Sequence, residues 1–245
     1  PSDYGSSVGR YANRIKDSKL QLNGQTYQLK ANDNGNCLHG GGATGWLNQV
    51  YDVTAKNDSS VTFTIHAKDG ENGFPGNVTA TATYTVKSDN TLDIVFGATT
   101  DKETVINMTN HSYFNLNGDP SKEGFEQIMY VNADKFTPSD KLYIPTGEIK
   151  DVTGTPMDFR TPTEIGKKVD YNFEQIKNAT GYDHNWCLNT YKNGKGDDKT
   201  VCASLYSPKS GILLEVFTNE PGIQVYTGNF QGTGISCKHG IKYPK

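Results

Sequence analysis

The sequence predicts an all-β chain with very little helix, and three observations carry that prediction. Apolar and polar residues alternate with period two, as strands with one buried face require: Val61, Phe63 and Ile65 against Thr62, Thr64 and His66, then Val78, Ala80, Ala82, Tyr84 and Val86 against the threonines between them. Asn23-Gly24 lies between two further alternating segments, and Asn-Gly supplies the positive φ angles of a type I′ hairpin turn. Apolar spacing of three and four, the mark of a helix face, persists nowhere beyond a turn or two, the best place being residues 173–177.

In chain order, the first element is the hairpin, with Leu20 and Leu22 before the turn and Tyr27 and Leu29 after it. Strands follow over 61–66 and 78–86, then around Leu92, Ile94 and Phe96, and shorter runs fall at 127–132, 201–206, 213–218 and 223–227. Segments rich in Gly, Asn and Asp separate them. Many short strands between frequent turns make a sandwich or barrel of mainly antiparallel sheets, and no internal repeat or linker divides them. A single domain over residues 1–245 is expected. Residues 1–15 run abruptly into GRYANRI and the chain stops at Tyr243-Pro244-Lys245 where a strand could follow, so the domain is expected to be incomplete at both ends.

Lys plus Arg number 24 against 27 for Asp plus Glu, which leaves no basic field for nucleic acid or an anionic membrane. The expected ligand is small and neutral. No apolar run approaches the roughly 20 residues that span a bilayer, and no leader precedes Pro1, so a cytoplasmic location is favoured over a periplasmic or secreted one. Asn57, Asn77 and Asn178 head N-x-S/T triplets, which arise by chance in a sequence this rich in Asn, Ser and Thr. Cys37, Cys187, Cys202 and Cys237 form no CxxC pair, which argues against zinc and makes buried free thiols the default. There is no phosphate-binding Gly loop and no spaced ligand cluster, so neither metal nor cofactor is expected.

Four polar clusters sit oddly among apolar strands: Asn13-Arg14 in GRYANRI, His39 in CLHGG, Asn110-His111-Ser112-Tyr113 in NMTNHSYFNL, and Asp183-His184-Asn185 in GYDHNW. Each has a plain structural alternative. A histidine beside Gly-Gly is more often a turn or core residue than a catalytic one. Arg14 could equally make a structural salt bridge, and Asp183 could cap its own turn. His111 is the better candidate, because it follows an apolar run where a strand would hand its side chain to a rim loop, and Tyr113 and Phe114 beside it could offer a sugar a flat apolar face. A carboxylate such as Asp183 is a natural acceptor for two adjacent sugar hydroxyls.

Taken together and in order, GRYANRI, CLHGG, NMTNHSYFNL, IPTGEI, GYDHNWCL and EVFTNEPGIQVYTGNF resemble the galactose mutarotase (aldose 1-epimerase) family across nearly the whole chain. NHSYFNL and the PG-x-Q-x-YTGNF segment are the specific signals. The resemblance implies a large antiparallel β-sandwich with an open sugar cleft, acting as a monomer or homodimer without a cofactor on free hexoses such as galactose and glucose. It makes His111 the general acid, has His39 hold the ring oxygen and its neighbour, and assigns sugar binding to Arg14, Asp183 and Gln224, with Asn13 beside Arg14 a further candidate for sugar binding. It places the general-base glutamate in a strand beyond KHGIKYPK, so the 245 residues alone are expected to bind sugar weakly without efficient turnover. A protonated imidazole suits the ring oxygen, since the ordinary histidine value near 6.5 lets it give and recover a proton near neutrality.

Three rivals stand beside this reading. A catalytically silent carbohydrate-binding sandwich would need the cleft without the acid and base. A hexose-phosphate epimerase would need more basic residues than Arg14 alone. A glycoside hydrolase would need a second carboxylate opposed to Asp183.

Overall fold

The computed structural model describes residues 3–119, 123–231 and 240. Cys237 and the last residues of the chain, on which the expectation of incompleteness rests, lie outside them. The chain divides into two compact units, one ending at Tyr113 and the other beginning at Phe114. Both are built from antiparallel strands.

In chain order the first unit comprises β1 (Ser7–Val8), β2 (Arg14–Ile15), β3 (Lys19–Leu22), β4 (Gln25–Gln28), β5 (Cys37–Leu38), β6 (Asp52–Lys56), β7 (Ser60–Ala67), β8 (Val78–Val86), β9 (Leu92–Thr100) and β10 (Thr109–Asn110). The hairpin of β3 and β4 turns on Asn23 at φ 50° and Gly24 at φ 74°, as the Asn-Gly pair predicts. Strands β6 to β9 form one four-stranded sheet in sequence order. Ile65, Ala67, Val78 and Ala80 on its inner face pack with Trp46 into a core. Hydroxyl pairs line the opposite face, Thr62 with Thr83 at 2.9 Å and Ser60 with Thr85 at 3.0 Å. Here the alternation is less clean than the sequence pattern: Thr64 is buried, its hydroxyl satisfied by Thr54 at 2.7 Å, and Leu92 on the edge strand is exposed.

A second core of Leu20, Leu29, Cys37 and Phe74 lies beneath the hairpin. Buried Arg10 lies over the Phe74 ring and donates to the carbonyls of Pro75 at 2.7 Å and Gly76 at 3.1 Å, which is what permits a guanidinium there. Arg10, the first arginine of GRYANRI, is therefore part of the frame.

The second unit contains β11 (Ile128–Val131), β12 (Lys135–Thr137), β13 (Lys150–Asp151), β14 (Thr163–Glu164), α1 (Ile165–Lys168), α2 (Glu174–Ala179), β15 (Asp183–Cys187), β16 (Tyr191–Lys192), β17 (Lys195–Gly196), β18 (Ala203–Tyr206), β19 (Leu213–Val216) and β20 (Gly222–Tyr226). Two four-stranded sheets, in the orders β14-β11-β18-β19 and β13-β12-β15-β20, contribute to one core around Phe136, Met157, Phe159, Tyr182 and Trp186. Trp186 Nε1 donates to the Met157 carbonyl at 2.9 Å and the Tyr182 hydroxyl to that of Pro156 at 2.9 Å, so both large aromatics are buried with their polar ends satisfied. The only α-helices among the described residues are α1 and α2, and α2 occupies the region the spacing favoured. No helix among the described residues is long and apolar enough to cross a membrane. Cys37, Cys187 and Cys202 are free thiols.

Candidate active site

Two pairs of short strands assemble the histidines of the first unit. Strand β2 pairs with β5, with Arg14 opposite Leu38 and Ile15 opposite Cys37. The residues just past that ladder, Asn13 and His39, then meet through two hydrogen bonds: the His39 amide donates to the Asn13 carbonyl at 3.0 Å, and the Asn13 amide donates to His39 Nδ1 at 3.0 Å. Both residues adopt left-handed backbone, Asn13 at φ 64° and His39 at φ 50°. Gly40 follows at φ 80°, where a Cβ would lie 2.1 Å from the Gly9 carbonyl oxygen, so the glycine after this histidine is a packing requirement.

Strand β1 pairs with β10, Ser7 opposite Asn110 and Val8 opposite Thr109. The ladder continues one step further, the Gly5 amide donating to the His111 carbonyl at 3.0 Å and the His111 amide to the Ser6 carbonyl at 2.9 Å. His111 is thus the first residue beyond a strand end. Asn110 steadies that end, its Nδ2 donating to the Tyr84 hydroxyl at 3.2 Å and its Oδ1 accepting the Ser112 amide at 3.0 Å.

These ladders bring the His39 and His111 rings edge to face, with centroids 5.3 Å apart and planes at 87°. Tyr113 lies against His111 at 5.2 Å and Tyr4 against Tyr113 at 4.8 Å. Asp3 completes the group: one of its carboxylate oxygens and a nitrogen of each imidazole lie within 4.8 Å of one another. Burial pushes His39 down to about 4, and the nearby His111 and Arg14 push the same way against the carboxylates of Asp3 and Asp33. Arg14 Nε donates to Asp33 Oδ2 at 2.7 Å, so its guanidinium is held by an ion pair in place.

Asp3, His39 and His111 are close enough to suggest a metal site, but the donor chemistry does not fit one. A neutral imidazole has a single lone-pair nitrogen. In His39 that is Nδ1, already accepting the Asn13 amide, so its other nitrogen bears a proton and cannot ligate.

The second unit brings Asp183 and Gln224 together. Strands β15 and β20 pair with Asp183 opposite Tyr226 and Asn185 opposite Gln224. Gln224 Nε2 reaches diagonally to donate to Asp183 Oδ1 at 2.8 Å. Period two along β15 turns His184 and Trp186 inward and leaves Asp183, Asn185 and Cys187 on the other face. His184 is therefore a core residue, its Nδ1 accepting the Asp183 amide at 3.1 Å and burial pushing it down to about 4. Gly222, of the PG-x-Q segment, sits where a Cβ would come within 2.3 Å of Asn185 Oδ1.

Of the residues singled out from sequence, Asn13, Arg14, His39 and His111 lie in the first unit, the two histidines in ring contact, and Asp183 and Gln224 are paired in the second. Asp3 and Asp33 are additions. Asp33 lies in ANDNGN, which reads only as a turn, and Asp3 carries no local signal at all, since the strand pairing that brings it to His111 joins residues about a hundred positions apart.

A family model described as aldose 1-epimerase matches residues 1–244. Pig galactose mutarotase is 39% identical over 242 residues, covering 99% of this chain and 67% of its own length. Aldose 1-epimerase of Escherichia coli K12 is 39% identical over 228 residues, covering 93% of this chain and 64% of its own. Among solved structures, an aldose epimerase homologue from C. elegans superposes with a TM-score of 0.85 at 32% identity, covering 99% of this chain and 70% of that one. Galactose 1-epimerase from Lactobacillus acidophilus does so with a TM-score of 0.79 at 31% identity, covering 93% and 64%. With the motifs in order, the histidines in contact and this degree of likeness in both sequence and fold, the chain belongs to the aldose 1-epimerase family.

Proposed function

We propose that the chain interconverts the α and β anomers of a free hexose such as galactose or glucose by acid–base opening and reclosure of the ring. Its family is one of isomerases, and its relatives are named for this reaction. Opening the ring requires a proton given to the ring oxygen while the glutamate that the family resemblance implies beyond KHGIKYPK takes one from the anomeric hydroxyl; rotation about C1–C2 and reclosure deliver the other anomer. The observation that carries the assignment is the contact of two imidazoles of which one, His39, has its Nδ1 lone pair committed to the Asn13 amide. His111 is left as the proton donor, at a strand end that fixes its backbone and beside the flat face of Tyr113.

Asp183 and Gln224 read hydroxyls remote from the anomeric carbon, the amide orienting the carboxylate so that it meets donors rather than turning in solvent. Arg14, steadied by Asp33, and Asn13 bind hydroxyls beside the histidines. Proton transfers with opening and reclosure of the C1–O5 bond complete the reaction, with no net oxidation and no group carried away, so neither a metal nor an organic cofactor is called for.

Proton exchange spectroscopy of an equilibrated sugar tests this reading. Added protein carrying the base glutamate that the family resemblance implies should bring the α and β anomeric signals of galactose into exchange and leave methyl α-galactoside untouched, because a locked acetal has no anomeric hydroxyl to deprotonate. Hydrolysis of the methyl glycoside, or no exchange with galactose, would refute it.

A further inference from the structure

We infer that the Asn13 main chain locks His39 as a neutral, donor-only imidazole, whose Nε2–H gives the sugar a fixed hydrogen bond and is never transferred. The inference rests on the mutarotase reading for the identity of the sugar, but the state of the ring follows from geometry alone. A backbone amide can only donate, so the 3.0 Å contact from Asn13 makes His39 Nδ1 the acceptor and leaves the proton on Nε2. Adding a second proton would put it on Nδ1, setting two donors head to head.

The reciprocal bond, from the His39 amide to the Asn13 carbonyl at 3.0 Å, holds the two main chains together, so the ring cannot escape this conflict by a small shift. The left-handed backbone at both residues, and the glycine that must follow, hold the same register. Asn13 is thus a positioning residue through its peptide group.

The charged and titratable groups around the ring are His111, Asp3, Arg14 and Asp33. His111 and Arg14 disfavour a charge on His39 and the two carboxylates favour one, while burial, the largest influence, keeps it neutral. The pair of imidazoles is therefore divided in role, one a fixed dipole and the other the proton carrier. A fixed donor beside the reacting centre stabilises negative charge developing on a sugar oxygen without having to recover a proton afterwards.

The glutamine side chain can imitate this state, its carbonyl accepting the Asn13 amide and its NH2 replacing Nε2–H, whereas alanine supplies neither. The experiment is nitrogen-15 NMR of the His39 ring in the parent protein, together with turnover of His39→Gln and His39→Ala, each in a form carrying the base glutamate that the family resemblance implies. The expected ring has a bare Nδ1 and a protonated Nε2, unchanged from about pH 5.5 to 8, across the range where free histidine titrates. His39→Gln should recover about tenfold or more of the rate lost in His39→Ala. A proton on Nδ1, titration within that range, or a glutamine variant no better than alanine would overturn the inference. Should galactose fail to anomerise while the ring shows the expected signature, the mutarotase reading falls and the assignment of His39 stands.

Discussion

At the scale of single residues, two histidines that desolvation pushes down make a pH dependence of stability that can be derived. His39 and His184 are both pushed down to about 4 in the folded chain, against an ordinary value near 6.5 when unfolded. Between those values the unfolded chain binds more protons, so stability is fully present above about pH 6.5 and is lost as pH falls toward 4, by at most about 3 kcal/mol for each histidine. Urea midpoints measured from pH 7.5 to 4.5 should fall, and His184→Leu should flatten part of the fall. Asp183 carries a different expectation, for substrate rather than stability. Asp183→Asn keeps the shape but loses the charge-assisted acceptor, so KM for galactose should rise by about tenfold or more with a smaller change in kcat, as steady-state kinetics would show. The residue alphabet signalled Asp183, His111 and Arg14 because polar groups at strand ends stand out. It could not signal the lock on His39, which is made by a peptide group that every residue but proline carries.

At the scale of elements, legibility followed length. Strands of eight or nine residues such as β7 and β8 show period two clearly, and the Asn23-Gly24 turn announces its own conformation. The two-residue strands β1, β2, β5 and β10, which position the histidines, are too short to show any period, and their partners lie far off in sequence. Strand β15 is longer, but its Asp-His-Asn-Trp-Cys run alternates burial between polar and apolar residues alike, so His184 does not read as a core residue. The YTGNF segment, recognisable as a signature, also has a structural duty. Asn229 Nδ2 donates to the carbonyls of Ala179 at 2.8 Å and Tyr182 at 2.8 Å, tying the end of α2 and the entry to β15 to the residues after β20. Asn229→Ala removes one donor from each carbonyl, leaving the Thr227 amide on Tyr182 at 3.1 Å and the Thr180 hydroxyl on Ala179 at 2.7 Å, and should destabilise the second unit by about 1 kcal/mol, visible as a lower urea midpoint. The Asp183–Gln224 pair lies on the strands this tie supports.

At the scale of the whole molecule, the β class and the paucity of helix were legible from the pattern, whereas the division into two compact units was not. Composition changes little across the junction at Tyr113 and Phe114, which falls inside the conspicuous NHSYFNL motif rather than in a linker. A boundary drawn by strand pairing leaves no compositional trace when both sides are built from the same kinds of strand. The family was legible because its motifs stand in order along the chain, while the sheets need only alternation. The central claim is that His111 gives the proton that opens the ring. Polarimetry of freshly dissolved α-D-galactose tests it most directly, comparing the parent and His111→Ala, each in a form carrying the base glutamate that the family resemblance implies, with the spontaneous change. The account predicts acceleration by the parent and a loss of about a hundredfold or more in His111→Ala, with galactose binding retained. A variant that accelerates mutarotation as well as the parent would contradict it.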